Sequence, residues 1–206
     1  MEIALIRHAQ PERWEGEGPA DPQLTMQGIS QAQNLVDHLT GPSAPTFKSL
    51  YSSTMTRAVE TASPLARKLG LPLHTDADLV EYDHGLPFYI PTEDIQEEFE
   101  AYWANLQQGR YAGHHIDLKA FQHRVVNAVD RVIDAHGEDD RVAIVCHGGV
   151  ISAYLASVLG NSQPLFFEPE YTSISRVHVY PGGRRHVLSA NETPHLGFSG
   201  WQSALV

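Results

Sequence analysis

Cysteine is almost missing from this chain: among 206 residues, Cys146 stands alone. That excludes an intramolecular disulfide framework and a cysteine-rich metal site. Positive charge is scarce as well, with 14 Lys and Arg against 25 Asp and Glu and a formal net charge of -11. Nucleic acid and anionic membrane are therefore not expected as partners, because both carry the same sign as the surface. A small anion is not excluded, since it responds to the local field of a pocket. Long hydrophobic runs are absent too, and none approaches the roughly 20 residues that span a bilayer. Met1 and Glu2 lead straight into a strand pattern, without the basic and apolar regions of a signal peptide. The expectation is a cytoplasmic protein. Its length suits one domain over 1–206, burying about 70% of its unfolded surface.

What is present alternates between strand and helix patterns. The apolar runs Ile3 to Ile6 and Val142 to Cys146 read as buried parallel strands. Phe47 to Ser52 reads as another, and Leu71 to His74 as a short one. Between them, Ile29, Ala32, Leu35, Val36 and Leu39 recur at helical spacing, with Thr25 as N-cap and Gly41-Pro42 as the stop. Met55, Val59, Ala62, Leu65 and Leu69 mark a second helix, which Pro64 is expected to kink or restart. Leu118 to Ile133 and Val150 to Val158 supply two more. Ser173 to Tyr180 and Arg184 to Ser189 flank Pro181-Gly182-Gly183 as a late hairpin. Residues 82–116 break this rhythm and read as a loop-and-helix insertion. The expected fold is α/β: a mostly parallel central sheet with helices on both faces, the insertion, and a late antiparallel hairpin.

In an open sheet of this kind, reactive groups gather beyond the carboxyl ends of the strands. There the sequence places Arg7 and His8, then Arg57 in the helix after the second strand, Glu81 after the third, and His147 before a Gly148-Gly149 helix start. Free N–H groups at such a start favour an anion. Metal-free phosphoryl transfer needs a nucleophile, cations around the phosphate oxygens, and a proton donor for the leaving oxygen. The set contains all three. Taken singly, a strand-end histidine is more often structural than reactive, and an arginine or glutamate is more often solvated.

The ordered motifs narrow the reading. Arg7-His8-Ala9, Leu24-Thr25-Met26-Gln27-Gly28 with Gln31-Ala32, Ser52-Ser53 with Arg57-Ala58 and Thr61-Ala62, Glu81 with Gly85, and His147-Gly148-Gly149-Val150 follow one another along the chain. Together with Asn191 to Leu196, they resemble the histidine phosphatase superfamily, in its phosphoglycerate-mutase-like branch. The resemblance implies that His8 attacks phosphorus and becomes a phosphohistidine. Arg7, Arg57 and a protonated His147 would hold the equatorial oxygens, and Glu81 would protonate the departing alcohol and then assist water. It implies no cofactor. Gln10 and Gly148 are expected among the substrate-binding groups, with His84 lining the pocket.

The chemistry itself adds that the two imidazoles titrate differently and that Glu81 has a raised pKa. Asp83 is a rival proton donor. Ala9 stands where the family has glycine, which would crowd the phosphate if its φ were positive. Cys146 reads as core filler. His114-His115 read as loop residues, and no metal site is expected, because the remaining histidines lack ligand-like spacing. Phe198 and Trp201 are expected to pack on the core, and Glu93 to Glu100 to form a solvated helix face.

Tyr82 to Gly109 contains no Lys or Arg. As a cap over the pocket it would repel a second anionic group. A phosphomonoesterase releasing a neutral or apolar alcohol is thus expected ahead of a phosphoglycerate-type mutase, and a non-catalytic scaffold comes last. The physiological ester and the oligomeric state are not readable.

Overall fold

The computed structural model describes residues 1–14, 16–91, 94–95 and 99–201. The readings for the Glu93 to Glu100 run fall largely outside these residues, and the side chains of Phe198 and Trp201 lie outside as well.

Six strands form the main sheet: β1 (Glu2–Arg7), β2 (Ser49–Ser53), β3 (Leu73–Asp76), β6 (Arg141–Cys146), β7 (Ile174–Val179) and β8 (Arg185–Glu192). Their spatial order is β3-β2-β6-β1-β7-β8. The first four are mutually parallel, and the late hairpin β7–β8 joins antiparallel along β1. The two central strands carry unbroken apolar runs, Ile3 to Ile6 in β1 and Val142 to Cys146 in β6, because both faces are covered there. Alternate side chains of β1 enter different cores. Ile3 and Leu5 meet helices α4 (Leu118–Asp134) and α5 (Gly148–Leu159), whereas Ala4 and Ile6 meet α1 (Met26–Leu39) and α2 (Thr56–Leu69).

Several local details differ from the pattern reading. Pro64 lies inside α2, which runs unbroken from Thr56 to Leu69. Its buried stripe of Ala58, Ala62, Leu65 and Ala66 holds the helix against the sheet on both sides of the proline. The N-terminus of α2 lacks a local cap; Asp21, from the loop after β1, accepts from Thr56 N at 2.8 Å and Thr56 Oγ1 at 2.7 Å. That remote clasp fixes where Arg57 begins. β3 lies two residues later than expected, and a 3-10 turn (Ala77–Leu79) separates it from Glu81. Thr25 does cap α1, accepting from Gly28 N at 2.8 Å. A Cβ on Gly28 would stand 2.1 Å from the Gln10 carbonyl, so only glycine lets this helix approach the loop after His8.

The insertion contains α3 (Phe99–Gln107) and a two-stranded ladder of β4 (Arg110–Tyr111) and β5 (His114–His115). His114 and His115 therefore belong to a strand rather than a loop. Both are exposed, and the His114 ring lies 5.4 Å from Phe88. Cys146 is fully buried in the core. Among the described residues, no helix is long and apolar enough to cross a membrane.

Candidate active site

Strand ends bring the sequence-predicted groups to one pocket. Arg7, His8, Arg57, Glu81 and Asp83 line it, together with Tyr82, Tyr89, Tyr102, Trp103, Tyr111 and Glu168 among others. His147 lies beneath this lining, fully buried, with its ring centroid 5.1 Å from that of His8.

His8 Nδ1 is 2.8 Å from the Ala9 carbonyl oxygen. A carbonyl can only accept, so the neutral ring carries its proton on Nδ1 and keeps a lone pair on Nε2. Burial lowers the His8 pKa well below the ordinary histidine value, and Arg57 and Arg7 add to this. The ring is thus held in the form a nucleophile requires. Ala9 has no positive φ; its N–H donates to Thr61 Oγ1 at 2.9 Å, and its methyl packs with Leu24 and Ala32. The expected crowding does not arise.

His147 Nε2 pairs with Ser53 Oγ at 2.8 Å. Burial also pushes its pKa well below 6.5, followed by Arg57, His8 and Arg7. Both imidazoles therefore favour the neutral form beside two guanidinium groups. A protonated His147 would need an anion to offset these cations.

The two arginines are held alike. Arg7 Nη2 lies 3.0 Å from Glu168 Oε1, and its Nη1 donates to the Pro169 carbonyl at 2.5 Å. Tyr171 stacks on its guanidinium at 4.2 Å. Arg57 Nη2 lies 3.2 Å from Asp83 Oδ1, and Tyr89 covers it at 4.9 Å. The two tyrosine hydroxyls meet at 3.4 Å. Burial works against both arginine charges, yet the neighbouring carboxylates and tyrosines raise both pKa values. Arg57 Nε and Nη1 and His147 Nδ1 are buried without a hydrogen-bond partner among the described residues. Leaving such groups unpaired costs about 1–3 kcal/mol each, more for a charged one, so they are placed to receive acceptor oxygens.

Glu81 accepts from Tyr82 N at 3.0 Å and from Gly149 N, at the start of α5, at 2.7 Å. Burial and then Asp83 push its pKa up to about 7, against these two backbone hydrogen bonds. The raised value matches the expectation for a group that carries a proton near neutrality. Burial also raises Asp83, but its ion pair with Arg57 pulls the other way. Asp83 is committed to the guanidinium, which leaves Glu81 the better donor.

Besides His147, three expected groups are not among the pocket's described lining residues. His84 is exposed and does not line the pocket, because the turn that buries Glu81 and Asp83 sends it outward. Gln10 Oε1 accepts from Thr25 Oγ1 at 3.0 Å, at the start of α1, and is likewise not in the lining. Gly148 is buried; a Cβ there would stand 3.2 Å from Glu168 Oε1 and 3.6 Å from Arg7 Nε. Without a side chain there, the Arg7–Glu168 pair can approach the helix start.

Sequence reasoning missed the 168–172 segment. Glu168, Pro169 and Tyr171 all serve Arg7, and the Thr172 N–H reaches the Arg7 carbonyl at 3.1 Å and that of His8 at 3.3 Å. The late Asn191…His195 signal explains how the segment is held. Asn191 Oδ1 accepts from Glu170 N at 2.7 Å, and His195 Nε2 pairs with Thr172 Oγ1 at 3.0 Å. Among the described residues, no group of three or more His, Cys, Asp or Glu is placed to hold a metal ion.

The family model for the histidine phosphatase superfamily (branch 1) matches residues 3–193. The chain is 28% identical over 212 residues to phosphoglycerate mutase-like protein 4 of Arabidopsis thaliana, covering 97% of this chain and 89% of that one. It is 31% identical over 168 residues to the adenosylcobalamin/alpha-ribazole phosphatase of Escherichia coli, covering 78% and 80% respectively. In fold it is similar to a mycobacterial glucosyl-3-phosphoglycerate phosphatase, with a TM-score of 0.74 at 21% identity over 93% of this chain and 99% of that one. The chain belongs to branch 1 of the histidine phosphatase superfamily.

Proposed function

We propose that this protein hydrolyses a small phosphate monoester through a phosphohistidine, without a metal or other cofactor. One observation carries the reading: His8, its Nδ1 proton fixed on the Ala9 carbonyl, keeps an Nε2 lone pair in a pocket flanked by Arg7 and Arg57. Nε2 attacks phosphorus, the N–P bond forms, and the P–O bond to the alcohol breaks. Glu81 gives its proton to the departing oxygen. Glu81, now a carboxylate, then takes a proton from water as that water attacks phosphorus. The N–P bond breaks, releasing phosphate and restoring both side chains. Arg7, Arg57 and His147 stabilise the equatorial oxygens, and the unpaired N–H groups of Arg57 supply preformed donors.

In this reading 1–206 forms one catalytic unit, with 82–116 as its cap. The named E. coli and mycobacterial phosphatases support hydrolysis over mutase activity, as does a cap without Lys or Arg from Tyr82 to Gly109. A cytoplasmic setting, where the buried Cys146 thiol stays reduced, is part of the same proposal. The expected partner is the phosphorylated metabolite, not nucleic acid or membrane.

The test is a chromogenic phosphate monoester assay with and without chelator, joined to acid quenching. Turnover should survive chelation, be blocked by vanadate and vanish in His8→Ala. Turnover without any acid-labile phosphoenzyme would exclude His8 as nucleophile. Isomerisation of phosphoglycerate with a bisphosphoglycerate primer, faster than hydrolysis, would establish the mutase alternative.

A further inference from the structure

The pocket wall facing the strand ends is poorly suited to any negative charge beyond the phosphate. Arg7 and Arg57 are the only cations among its described lining residues, and each already faces a carboxylate, Glu168 at 3.0 Å and Asp83 at 3.2 Å. Glu81 lies on the same wall and, protonated as the ester enters, adds no positive charge to it. A phosphate dianion entering here brings an excess of negative charge that no further Lys or Arg of the lining offsets.

The remaining wall is aromatic. Tyr82, Tyr102, Trp103 and Tyr111 line the pocket beside these carboxylates. The rings brace one another: the Tyr82 and Tyr111 centroids are 5.3 Å apart edge-on, and the Tyr82 and Tyr102 hydroxyls are 3.5 Å apart. Tyr102 and Tyr111 meet edge-on at 6.2 Å. Burial raises the Tyr102 pKa, the hydrogen bond to Tyr82 works against this, and Glu168 and Asp83 add to the rise, so the negative field of these two carboxylates reaches this wall. Ring faces are themselves the negative poles of their quadrupoles. Aromatic rings next to carboxylates complement a cation, above all an ammonium group too bulky to be hydrated tightly. An anionic alcohol is repelled by the same surface, and a neutral one gains only apolar contact.

Granted the phosphatase reading above, we infer that the preferred ester carries an ammonium group on its small alcohol, seated against Tyr82, Tyr102 and Trp103 with Glu168 as counter-charge. Glu168 then has two tasks: it orients Arg7 toward the phosphate and balances the charge of the alcohol.

The test uses three esters on the full chain: choline phosphate, its carbon isostere with a tert-butyl group in place of the trimethylammonium, and phosphoglycolate. A chromogenic aryl phosphate serves as the control. The ammonium ester should exceed its isostere in kcat/KM by about tenfold, and phosphoglycolate should fall below both. Glu168→Gln and, separately, Trp103→Leu should shrink the gap between the isosteric pair to about threefold or less. Trp103→Phe should restore most of it by returning a ring. An isostere as good as the ammonium ester, with His8-dependent turnover of the aryl phosphate intact, overturns the inference and leaves the phosphatase reading standing. No His8-dependent turnover of any ester overturns both. A gap unchanged in Glu168→Gln removes Glu168 from the recognition of the alcohol.

Discussion

The strand-edge side of the pocket and its cap side hold their side chains by different means. On the strand side, Arg7, His8 and His147 follow the ends of the paired strands β1 and β6, and Arg57 sits in the first turn of α2. Their backbones are set by a ladder buried between two cores, so small displacements are resisted from both faces. On the cap side, Tyr82, Tyr89, Tyr102 and Tyr111 come from loops, a short helix and a two-residue strand; Tyr82, Tyr102 and Tyr111 contact one another, and Tyr89 lies against Arg57 and Tyr171. A rigid edge suits groups whose angles matter to within a fraction of an ångström. A wall of rings on connecting segments can change its occupant without disturbing that edge. In the proposed reading, the chemistry rests mainly on the first part and the choice of substrate mainly on the second.

Substitutions on the two sides should differ in kind. His8→Ala is expected to lower turnover by more than about 10³-fold, with no phosphoenzyme on acid quenching, since loss of a nucleophile exceeds loss of one preorganised donor. Arg57→Ala should cost about 10²–10³-fold in kcat, together with weaker inhibition by vanadate. For Glu81→Gln the informative readout is the pH profile. Wild-type kcat/KM should fall as pH rises through about 7, where Glu81 of the free enzyme gives up its proton, and the variant should lose this limb.

The same carboxyl has a consequence for stability. Its folded pKa exceeds the ordinary 4.5, so its contribution is full below about 4.5 and is lost as pH rises through about 7. Urea unfolding at both ends of that window should show a slope that Glu81→Gln reduces.

At the junction of the two sides stands Gly149. A Cβ there would lie 2.4 Å from Glu81 Oε1 and 2.7 Å from the Tyr82 ring. Gly149→Ala should cost about 1–3 kcal/mol in thermal unfolding as the glutamate and ring are forced aside. The smallest effect belongs to the cap. Tyr102→Phe keeps the ring and removes one weak hydroxyl contact, so kcat on a generic aryl ester should stay within about threefold. A loss there as large as that of Arg57→Ala would break the contrast, because the cap would then share in the chemistry.

The strands and helices were legible because burial writes itself into spacing. Ile3 to Ile6 and Val142 to Cys146 could be read as inner strands from their apolar runs, and Thr25 as an N-cap from its place before a periodic stripe. Pro64 does not restart the helix, because the packing of Ala58, Ala62 and Leu65 on either side, which the sequence does not weigh, holds one continuous helix. His84 misled for a related reason: proximity to Glu81 along the chain says nothing about which way a turn sends the next side chain. Glu168 and Tyr171 gave no signal at all. They reach Arg7 from 161 and 164 positions away in sequence, and only the folded chain makes them neighbours.

By itself the sequence determined the order of elements and the residue types at strand ends, because hydrophobic periodicity and short motifs are local properties. It thereby named His8, Arg7, Arg57, Glu81 and His147 as one set. Tertiary structure alone decided how each is charged and held. Burial, which depends on neighbours distant in sequence, keeps both imidazoles neutral, lifts Glu81 to about 7 and commits Asp83 to Arg57. Juxtaposition likewise decided that a carboxylate from the 168–172 segment and a wall of rings from the cap share one pocket with the phosphate-binding arginines.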